Sequence, residues 1–461
     1  MAPLQRYDVL VIGAGQAGVP LAHALASQGR QVALAERKQV GGSCVNFGCT
    51  PTKAALASAR LAHDARRASE FGVRIPSVDV DFAAVIDRAR RIAAESRAGL
   101  EKGLQSGNPR WMRAHARLAG RDGKTFRVTV GGEELAAGEV VLDTGTRTRV
   151  PKIEGIAGVP FLHAGNWLDL QERPEHVIVL GGGVIALEMS QFYRRMGSRV
   201  TVIERSARIA KQEDQDVSAA LQAALAAEGI AFRLQTTTES VARSETGVTV
   251  HMRRAGTAEA VQGSHLFVAT GRKPNTDDLG LETVGVVVSA DGIVTADERL
   301  STNVPGIWVA GDIRGGPQFT HSSWDDYRIL LGQMTGRGHR TTRRIIPYAI
   351  FTDPELGRVG LDEQQAQRSG RDVDVHRFEM ARNGRARERG SAAGFIKVIV
   401  EKGSRLILGA TALADQGAEM IHLYVDLMNA GAPARVLRDA IHVHPTLAEA
   451  AQSAVAGVTG D

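Results

Sequence analysis

The strongest constraint on the fold is a pattern that occurs twice in the sequence. A short apolar run leads into a glycine-rich turn, then into a helical stretch, and finally into a second apolar run that ends on a glutamate. The first copy comprises residues 7–12, the turn Gly13-Ala14-Gly15-Gln16-Ala17-Gly18, and residues 31–35 before Glu36. The second copy comprises residues 176–180, the turn Gly181-Gly182-Gly183-Val184-Ile185-Ala186, and residues 199–203 before Glu204. Each copy predicts a strand–helix–strand unit, so the chain is expected to be an α/β protein with an internal repeat.

The glycines in these turns have distinct mechanical roles. The first permits a tight turn, the second lets a pyrophosphate approach the backbone, and the third allows the helix to pack on the strand. Free N–H groups and the helix dipole then favour the phosphates. A single such turn could be purely structural, but the flanking strands and terminal acids favour two Rossmann-like dinucleotide sites. The predicted contacts are Gly13, Gly15, Gly18, Gly181 and Gly183.

The two terminal acids indicate which cofactors fit. Glu36 can accept hydrogen bonds from an adenosine ribose, which suits FAD, and Glu204 can do the same for NADH. A carboxylate at Glu204 would also repel the 2′-phosphate of NADPH. Ala186 in place of the third glycine, with Arg205 and Arg208 nearby, favours NADPH instead. We therefore predict FAD and NADH, with NADPH as the alternative nucleotide.

Cys44 and Cys49 are the only cysteines among 461 residues, and they lie in the run GGSCVNFGCTPTK at residues 41–53. A disulfide requires Cα atoms within about 7 Å. A regular helix does not offer that comfortably at this spacing, so we expect a distortion at Asn46 and Gly48. A nearby cation or helix N-terminus would lower a thiol pKa. The alternative, an inert disulfide, would close so short a loop that its stabilising effect would be small.

Length and composition place the chain among ordinary globular proteins. A chain of 461 residues is too long to fold around a single hydrophobic core, so its length predicts about three domains. No apolar run approaches the roughly 18 residues of a membrane span, and the N-terminal residues carry no secretory pattern. We therefore expect a cytoplasmic protein that does not bind membranes. The arginines are scattered without a clustered basic stripe, so nucleic-acid binding is not expected either.

The ordered motifs identify a family resemblance that extends from end to end. The chain resembles the class I pyridine nucleotide–disulfide oxidoreductases, which include glutathione reductase, dihydrolipoamide dehydrogenase and mercuric reductase. It is most similar to mercuric-reductase-like enzymes, including the reactive-chlorine-resistance flavoreductases. Beyond the two glycine turns and the cysteine run, the supporting motifs are ATGRKPN at 269–275, VAGD at 309–312, GGPQFTH at 315–321, WDDYR at 324–328, NGRAR at 383–387 and HVHPTLAE at 442–449.

This resemblance implies a role for each matched residue. Cys49 would be the thiol beside the flavin, and Cys44 would be the thiol that meets the substrate. Lys53 and Glu188 would form an ion pair beside flavin N5, although on sequence grounds alone each reads as a solvated charge. Asp312 would hydrogen-bond the ribityl chain. Further cofactor contacts are predicted at Gly42, Gly145 and Gly271.

The resemblance also implies domains and an assembly. An FAD-binding domain is expected at residues 1–150 and 272–344, with an NAD(P)H-binding domain at 151–271 between them. Residues 345–461 would form a C-terminal α+β dimerisation domain. His444 with Glu449 would then act as an acid–base pair across a homodimer interface, giving composite active sites; a carboxylate that orients an imidazole suits that role.

Departures from the family leave the substrate open. The chain has no C-terminal cysteine pair of the kind that mercuric reductases use to carry Hg(II) inward, and Asp143 occupies a position where the family often has alanine. We predict an FAD-dependent NAD(P)H oxidoreductase that uses a redox-active Cys44–Cys49 disulfide to reduce a small oxidant. The oxidant would be a disulfide, a soft metal ion or an oxidised halogen species. The alternatives are a flavin-only quinone reductase (diaphorase) and a non-catalytic redox-sensing flavoprotein.

Overall fold

A computed structural model describes residues 4–105 and 107–459 of the chain. The first sheet contains six strands of the N-terminal segment and one strand from much later in the chain. The N-terminal elements are β1 (Gln5–Ile12), α1 (Gly18–Ser27), β2 (Val32–Ala35), α2 (Gly42–Asn46), α3 (Cys49–Arg66), α4 (Phe82–Leu104), β3 (Arg110–Met112), β4 (Ala116–Asp122), β5 (Thr125–Val130), β6 (Glu133–Leu142) and β7 (Thr146–Thr148).

The second sheet follows the same plan. Its elements and the small antiparallel sheet beside it are β8 (Leu162–His163), β9 (His176–Leu180), α5 (Val184–Arg195), β10 (Arg199–Ile203), α6 (Gln215–Ala227), β11 (Ile230–Arg233), β12 (Thr236–Ser244), β13 (Gly247–Arg254), β14 (Thr257–Gly263) and β15 (His265–Val268). The strand order β11-β10-β9-β15-β8 is parallel throughout. Parallel pairs need crossover connections, and α5 and α6 provide two of them.

The chain then returns to the first sheet. The returning elements are β16 (Arg272–Pro274), β17 (Ile307–Val309) and α7 (Thr320–Met334). β17 pairs in parallel with β6, while β16 pairs antiparallel with β7. The first sheet therefore runs β3-β2-β1-β6-β5-β4, with β17 added at β6. β2 is buried throughout and β1 is buried from Val9 to Ile12, as expected for parallel strands that are covered on both faces.

The C-terminal part is a five-stranded antiparallel sheet in the order β18-β19-β22-β21-β20. Its elements are β18 (Tyr348–Ile350), β19 (Glu355–Gly360), α8 (Glu363–Arg368), β20 (Val373–Glu379), α9 (Gly384–Glu388), β21 (Phe395–Glu401), β22 (Ile407–Ala414), α10 (Gly417–Met420), α11 (His422–Ala430), α12 (Arg435–Asp439) and α13 (Ala448–Thr459). One apolar cluster joins β21, β22, α11 and α13 into a separate core.

This architecture confirms the predicted α/β class, with two nucleotide-type sheets and a C-terminal domain of different design. The predicted residue boundaries of the domains stay a prediction, and their ends at 1–3 and 460–461 lie outside the described residues. Within the described part of the chain, no helix combines the length and the apolar character that a bilayer crossing requires.

Candidate active site

The first glycine-rich turn and Glu36 form one closed unit at the carboxyl ends of β1 and β2. Gly13 has a φ of +106°, and a side chain there would clash with the carbonyl oxygen of Asp143. Only glycine suits such a position. Glu36 Oε2 accepts a hydrogen bond from the Ala14 N–H at 3.0 Å, and Glu36 Oε1 accepts one from the Lys38 N–H at 2.7 Å. The acid is thereby fixed beside the turn, where the sequence predicts the adenosine half of FAD.

A cleft opens at this unit. It is lined by Ile12, Gly13, Glu36, Arg37, His115, Thr144 and Asn275. A backbone turn with a carboxylate at its rim fits a dinucleotide, because the N–H groups suit phosphate and the carboxylate suits ribose. The residues present therefore fit the predicted cofactor.

Asp312 is joined to the two-stranded ribbon of β7 and β16. Its Oδ2 accepts a hydrogen bond from Thr146 Oγ1 at 2.9 Å and lies 3.7 Å from the Arg272 guanidinium. Gly42, with φ of +60°, packs against the first turn so closely that a side chain would come within 3.2 Å of the Gly15 Cα. Gly145 also has a positive φ, +62°. The loops carrying these predicted cofactor contacts lie around the first turn.

The helix breaks between the two cysteines, as the sequence predicts. α2 ends at Asn46, the backbone at Gly48 has φ −101° and ψ −118°, and α3 begins at Cys49. The Asn46 side chain is buried and donates to the carbonyl oxygens of Val40 and Gly42, both at 2.9 Å. Both cysteines are free thiols. The break therefore lies between the two thiols, with Cys44 in the middle of α2 and Cys49 at the start of α3, and each thiol shifts the pKa of the other.

The two thiols have opposite electrostatic characters. A hydrogen bond from Cys44, together with Thr320 and the nearby Lys53 charge, lowers the pKa of Cys49 to about 6, against the opposing effect of burial. The same contact with Cys49, followed by burial, raises the pKa of Cys44. The Cys49 sulfur and the Thr320 hydroxyl are 3.2 Å apart. These shifts favour the thiolate form at Cys49 and the thiol form at Cys44 in the reduced pair.

Lys53 and Glu188 lie together where α3 packs against α5. Lys53 Nζ donates to both carboxylate oxygens of Glu188, at 3.0 and 2.9 Å. Glu188 is 3% exposed and also accepts the Phe351 backbone N–H at 2.9 Å. The Phe351 ring lies 4.5 Å from Lys53 Nζ. The lysine charge is thus fixed one helical turn from Cys49.

His444 and Glu449 form a second pair at the surface of the C-terminal part. His444 Nδ1 lies 3.0 Å from Glu449 Oε1, and Glu449 Oε2 accepts the Thr446 N–H at 2.7 Å. The His444 side chain is 78% exposed, and its exposed neighbours include Ile441 and Val443. Within the described chain, His444 forms no hydrogen bond with either cysteine. The imidazole is oriented by its carboxylate and directed away from its own core.

The second glycine-rich turn repeats the geometry of the first. Gly181 has φ of +111°, and a side chain there would come within 2.6 Å of the Ala269 carbonyl oxygen. Glu204 Oε1 accepts the Ser206 N–H at 2.6 Å. Gly183 has open space around it, and Gly271 has φ of +125°. Of the predicted glycines of this unit, Gly181 and Gly271 have a positive φ, and Gly183 has no atom within 4 Å of where a side chain would begin.

The comparison with known families rests on the whole of this arrangement. The sequence profile described as pyridine nucleotide-disulphide oxidoreductase matches residues 7–326. The chain belongs to this family. Its dimerisation-domain profile matches residues 346–455. Members of the family are flavoprotein oxidoreductases that use FAD and NAD(P)H, and the predicted class and cofactors are confirmed at that level.

Individual relatives cover nearly the full chain. The probable pyridine nucleotide-disulfide oxidoreductase RclA of Escherichia coli is 34% identical over 452 residues, covering 97% of this chain and 98% of its own. The mercuric reductase of Streptomyces lividans is 32% identical over 460 residues, covering 99% and 97%. The structure titled as a Cu(II) complex of HOCl-induced flavoprotein disulfide reductase RclA from Escherichia coli has a TM-score of 0.86 at 32% identity, covering 98% and 99%.

Three contacts of the site were not predicted from the sequence. Thr320 contacts the Cys49 sulfur, Phe351 supports Glu188, and Asp326 accepts the Gly311 N–H at 2.8 Å from a fully buried position. Thr320 begins α7 and lies in GGPQFTH, and Asp326 lies in WDDYR. The motifs in which Thr320 and Asp326 lie were a usable signal that these residues matter. Their contact partners could not be predicted, because each contact joins residues that are distant in the chain or lie in different elements.

Proposed function

We propose that this protein reduces a small oxidant with electrons from NAD(P)H, through the Cys44–Cys49 pair. The observation that carries the proposal is the asymmetry of the two thiols. Cys49 is a stabilised thiolate beside Thr320 and Lys53, whereas Cys44 remains a thiol. A structural disulfide would need no such arrangement, whereas a dithiol that accepts an electron pair on one side and delivers it on the other does.

When bound, FAD would accept hydride from NAD(P)H and pass the electron pair to the Cys44–Cys49 disulfide. The disulfide takes up two electrons and one proton, which gives the Cys49 thiolate and the Cys44 thiol. If the oxidant is a disulfide, Cys44 loses its proton, attacks one substrate sulfur and releases the other half as a thiolate. Cys49 then attacks Cys44, re-forms the protein disulfide and releases the second half.

A proton must move during these steps, and His444 with Glu449 is the proposed carrier. The Glu449 carboxylate orients the imidazole and stabilises its cation. Because His444 is exposed and no contact within the described chain links it to the cysteines, we propose that it serves Cys44 of a second copy. The exposed Ile441 and Val443 beside it are suited to burial in such a homodimer.

The oxidant class remains a proposal, and two relatives narrow it. RclA is titled HOCl-induced and has a Cu(II) complex, and another relative is named a mercuric reductase. We therefore propose a soft metal ion or an oxidised halogen species ahead of an organic disulfide. Both cysteines of this sequence belong to the redox pair, so neither is left over to act as a thiol relay to Cys44. We also propose a cytoplasmic location, where NAD(P)H is available and structural disulfides are scarce.

A substrate panel with Cys44→Ser tests this function. NADH consumption is measured with Cu(II), Hg(II), hypothiocyanite, lipoamide, glutathione disulfide and a quinone. The wild type should turn over one class well above the rest, and Cys44→Ser should lose about 10³-fold or more of that activity. Ser43→Ala is the matched control, because only the Ser43 backbone oxygen is used at the break.

Two outcomes of the panel would contradict the proposal. Turnover retained in Cys44→Ser, above all with a quinone, would identify a flavin-only diaphorase. An absence of turnover with every oxidant, together with ready reduction by NADH, would identify a redox sensor instead.

Nucleotide preference provides a further prediction. Glu204 lies at the end of β10 with its carboxylate fixed by the Ser206 N–H, so it should repel a 2′-phosphate. We expect the wild type to prefer NADH, and Glu204→Ser to raise kcat/KM for NADPH about tenfold, equivalent to about 1.4 kcal/mol. Glu175→Ser, which removes an exposed carboxylate of the same sheet, should leave the preference unchanged. A wild type that uses NADPH faster than NADH would overturn the assignment.

A further inference from the structure

Asp143 is a buried acid to which the proposed function assigns no role. It follows β6 directly and is 6% exposed. Its Oδ2 accepts a hydrogen bond from the Gly18 N–H, at the start of α1, at 2.7 Å. Its own backbone N–H donates to the Ile12 carbonyl at 2.8 Å, which fixes the residue against β1. The main chain of Asp143 is therefore fixed against β1, and its carboxyl group is bound to the start of α1 beneath the first glycine-rich turn.

The two carboxyl oxygens lie between the loops that are predicted to hold the cofactor. A side chain at Gly15 would come within 2.7 Å of Oδ2, and one at Gly311 within 2.9 Å of Oδ1. Gly15 belongs to the turn that suits the diphosphate, and Gly311 precedes Asp312, which is predicted to bind the ribityl chain. Within the described residues, Oδ1 has no recorded hydrogen-bond partner. This oxygen is therefore available at the junction of the two loops.

The charges around Asp143 are predominantly negative. The charges of Asp326, Asp312 and Glu36 act on Asp143 and disfavour a further anion at its carboxyl group. The cations nearby are engaged elsewhere. Arg314 and Arg344 both bind the Asp326 carboxylate, and Arg272 lies 3.7 Å from Asp312. Among the described residues, no cation pairs with Asp143.

Burial therefore decides the protonation state. Burying an ionised carboxylate without a cationic partner costs free energy, so such a group takes up a proton and becomes neutral. Burial first, and the three neighbouring acids after it, raise the pKa of Asp143 well above its usual range, against a lowering effect of the Gly18 N–H. If the proton is on Oδ1, Oδ2 can still accept the hydrogen bond from the Gly18 N–H, and Oδ1 can act as a donor.

We propose that Asp143 is a neutral carboxylic acid that positions FAD, with Oδ2 holding the start of α1 and a protonated Oδ1 offering a hydrogen-bond donor between the two loops at the diphosphate. Alanine at this position would provide neither group. Loss of the proton would place a negative charge beside the diphosphate and at a helix N-terminus that favours anionic ligands. FAD affinity should therefore depend on one proton.

FAD titrations of the apoproteins test the proposal. Wild type, Asp143→Asn and Asp143→Ala are titrated with FAD from neutral to alkaline pH, with flavin fluorescence as the readout. Asparagine keeps one acceptor and one donor but cannot ionise. At neutral pH, we expect Asp143→Asn to bind FAD as tightly as the wild type does. At alkaline pH, the FAD affinity of the wild type should fall, by up to about tenfold per pH unit above the Asp143 pKa. The affinity of Asp143→Asn should not show this fall. Asp143→Ala should bind more weakly throughout.

Asp122→Asn, which changes an exposed acid at the end of β4, controls for general effects of alkali. Superimposable pH profiles of wild type and Asp143→Asn would overturn the proposal, as would an Asp143→Asn affinity as poor as that of Asp143→Ala at neutral pH.

Unfolding of the apoproteins provides a readout that does not need the cofactor. The unfolded chain releases the Asp143 proton in the ordinary range, whereas the folded chain retains it to higher pH. Wild-type stability should therefore fall relative to Asp143→Asn as pH rises between those two pKa values. A stability difference that does not change with pH would mean that Asp143 is ionised in the fold, and the proposal would fail.

Discussion

Replacing Cys49 with serine should abolish the long-wavelength absorption that a thiolate produces beside an oxidised flavin, and should reduce oxidant turnover at least about 10³-fold. The reason is that Cys49 carries the negative charge of the reduced pair, whereas serine does not ionise in this range. Anaerobic titration of the holoenzyme with NADH, followed in the visible spectrum, measures the first effect. Steady-state oxidant reduction measures the second.

The pH dependence of that absorption has a definite sign. The pKa of Cys49 is lowered to about 6, so the absorption should be present at neutral pH and disappear as pH falls through about 6. Thr320→Val removes a hydrogen bond that stabilises the thiolate and should move this midpoint to higher pH. Cys44→Ser is the matched control and should retain the absorption. Its persistence in Cys49→Ser would refute the assignment of the thiolate.

Lys53→Met should produce the second large effect, a loss of about 3 kcal/mol or more in the free energy of unfolding. The substitution leaves the Glu188 carboxylate, whose side chain is 4% exposed, with one backbone N–H and no cation. Glu188→Gln should cost less, because the Lys53 side chain is 33% exposed and can be hydrated. Chemical denaturation of the holoenzymes measures both.

The double variant Lys53→Met/Glu188→Met separates charge from packing. If the cost arises from an unpaired buried carboxylate, the double variant should recover most of the stability lost in Lys53→Met. Equal losses in both single variants, with no recovery in the double, would show that the pair contributes through packing instead. The Lys53 variant should also raise the pKa of Cys49, because the Lys53 charge lowers it.

Most features of the fold could be predicted from short stretches of the sequence. Both glycine-rich turns, their terminal acids and the helix break at Gly48 are set by residues close in the chain, and each was predictable from that stretch. The contacts between residues of the site that are far apart in the chain could not be predicted in this way. Thr320 contacts Cys49 from a separate helix, Phe351 supports Glu188 from the position after β18, and Asp143 reaches Gly18 from the end of β6.

Such contacts depend on how distant segments pack, which periodicity does not encode. The protonation of Asp143 is a further example. The sequence identified an acid in an unusual position, but only the fold shows its burial and, after that, the three neighbouring acids that favour its neutral form.

The return of the chain to its first sheet has a consequence for biosynthesis. β17 pairs with β6 only after the whole second sheet has left the ribosome, and Asp312 lies in the turn after β17. Domains generally fold as units during synthesis, the N-terminal ones first. Here the first sheet begins earliest yet is completed after the inserted one. The nascent chain would therefore acquire its nicotinamide-nucleotide fold before it can retain flavin, and flavin capture would mark a late stage of maturation.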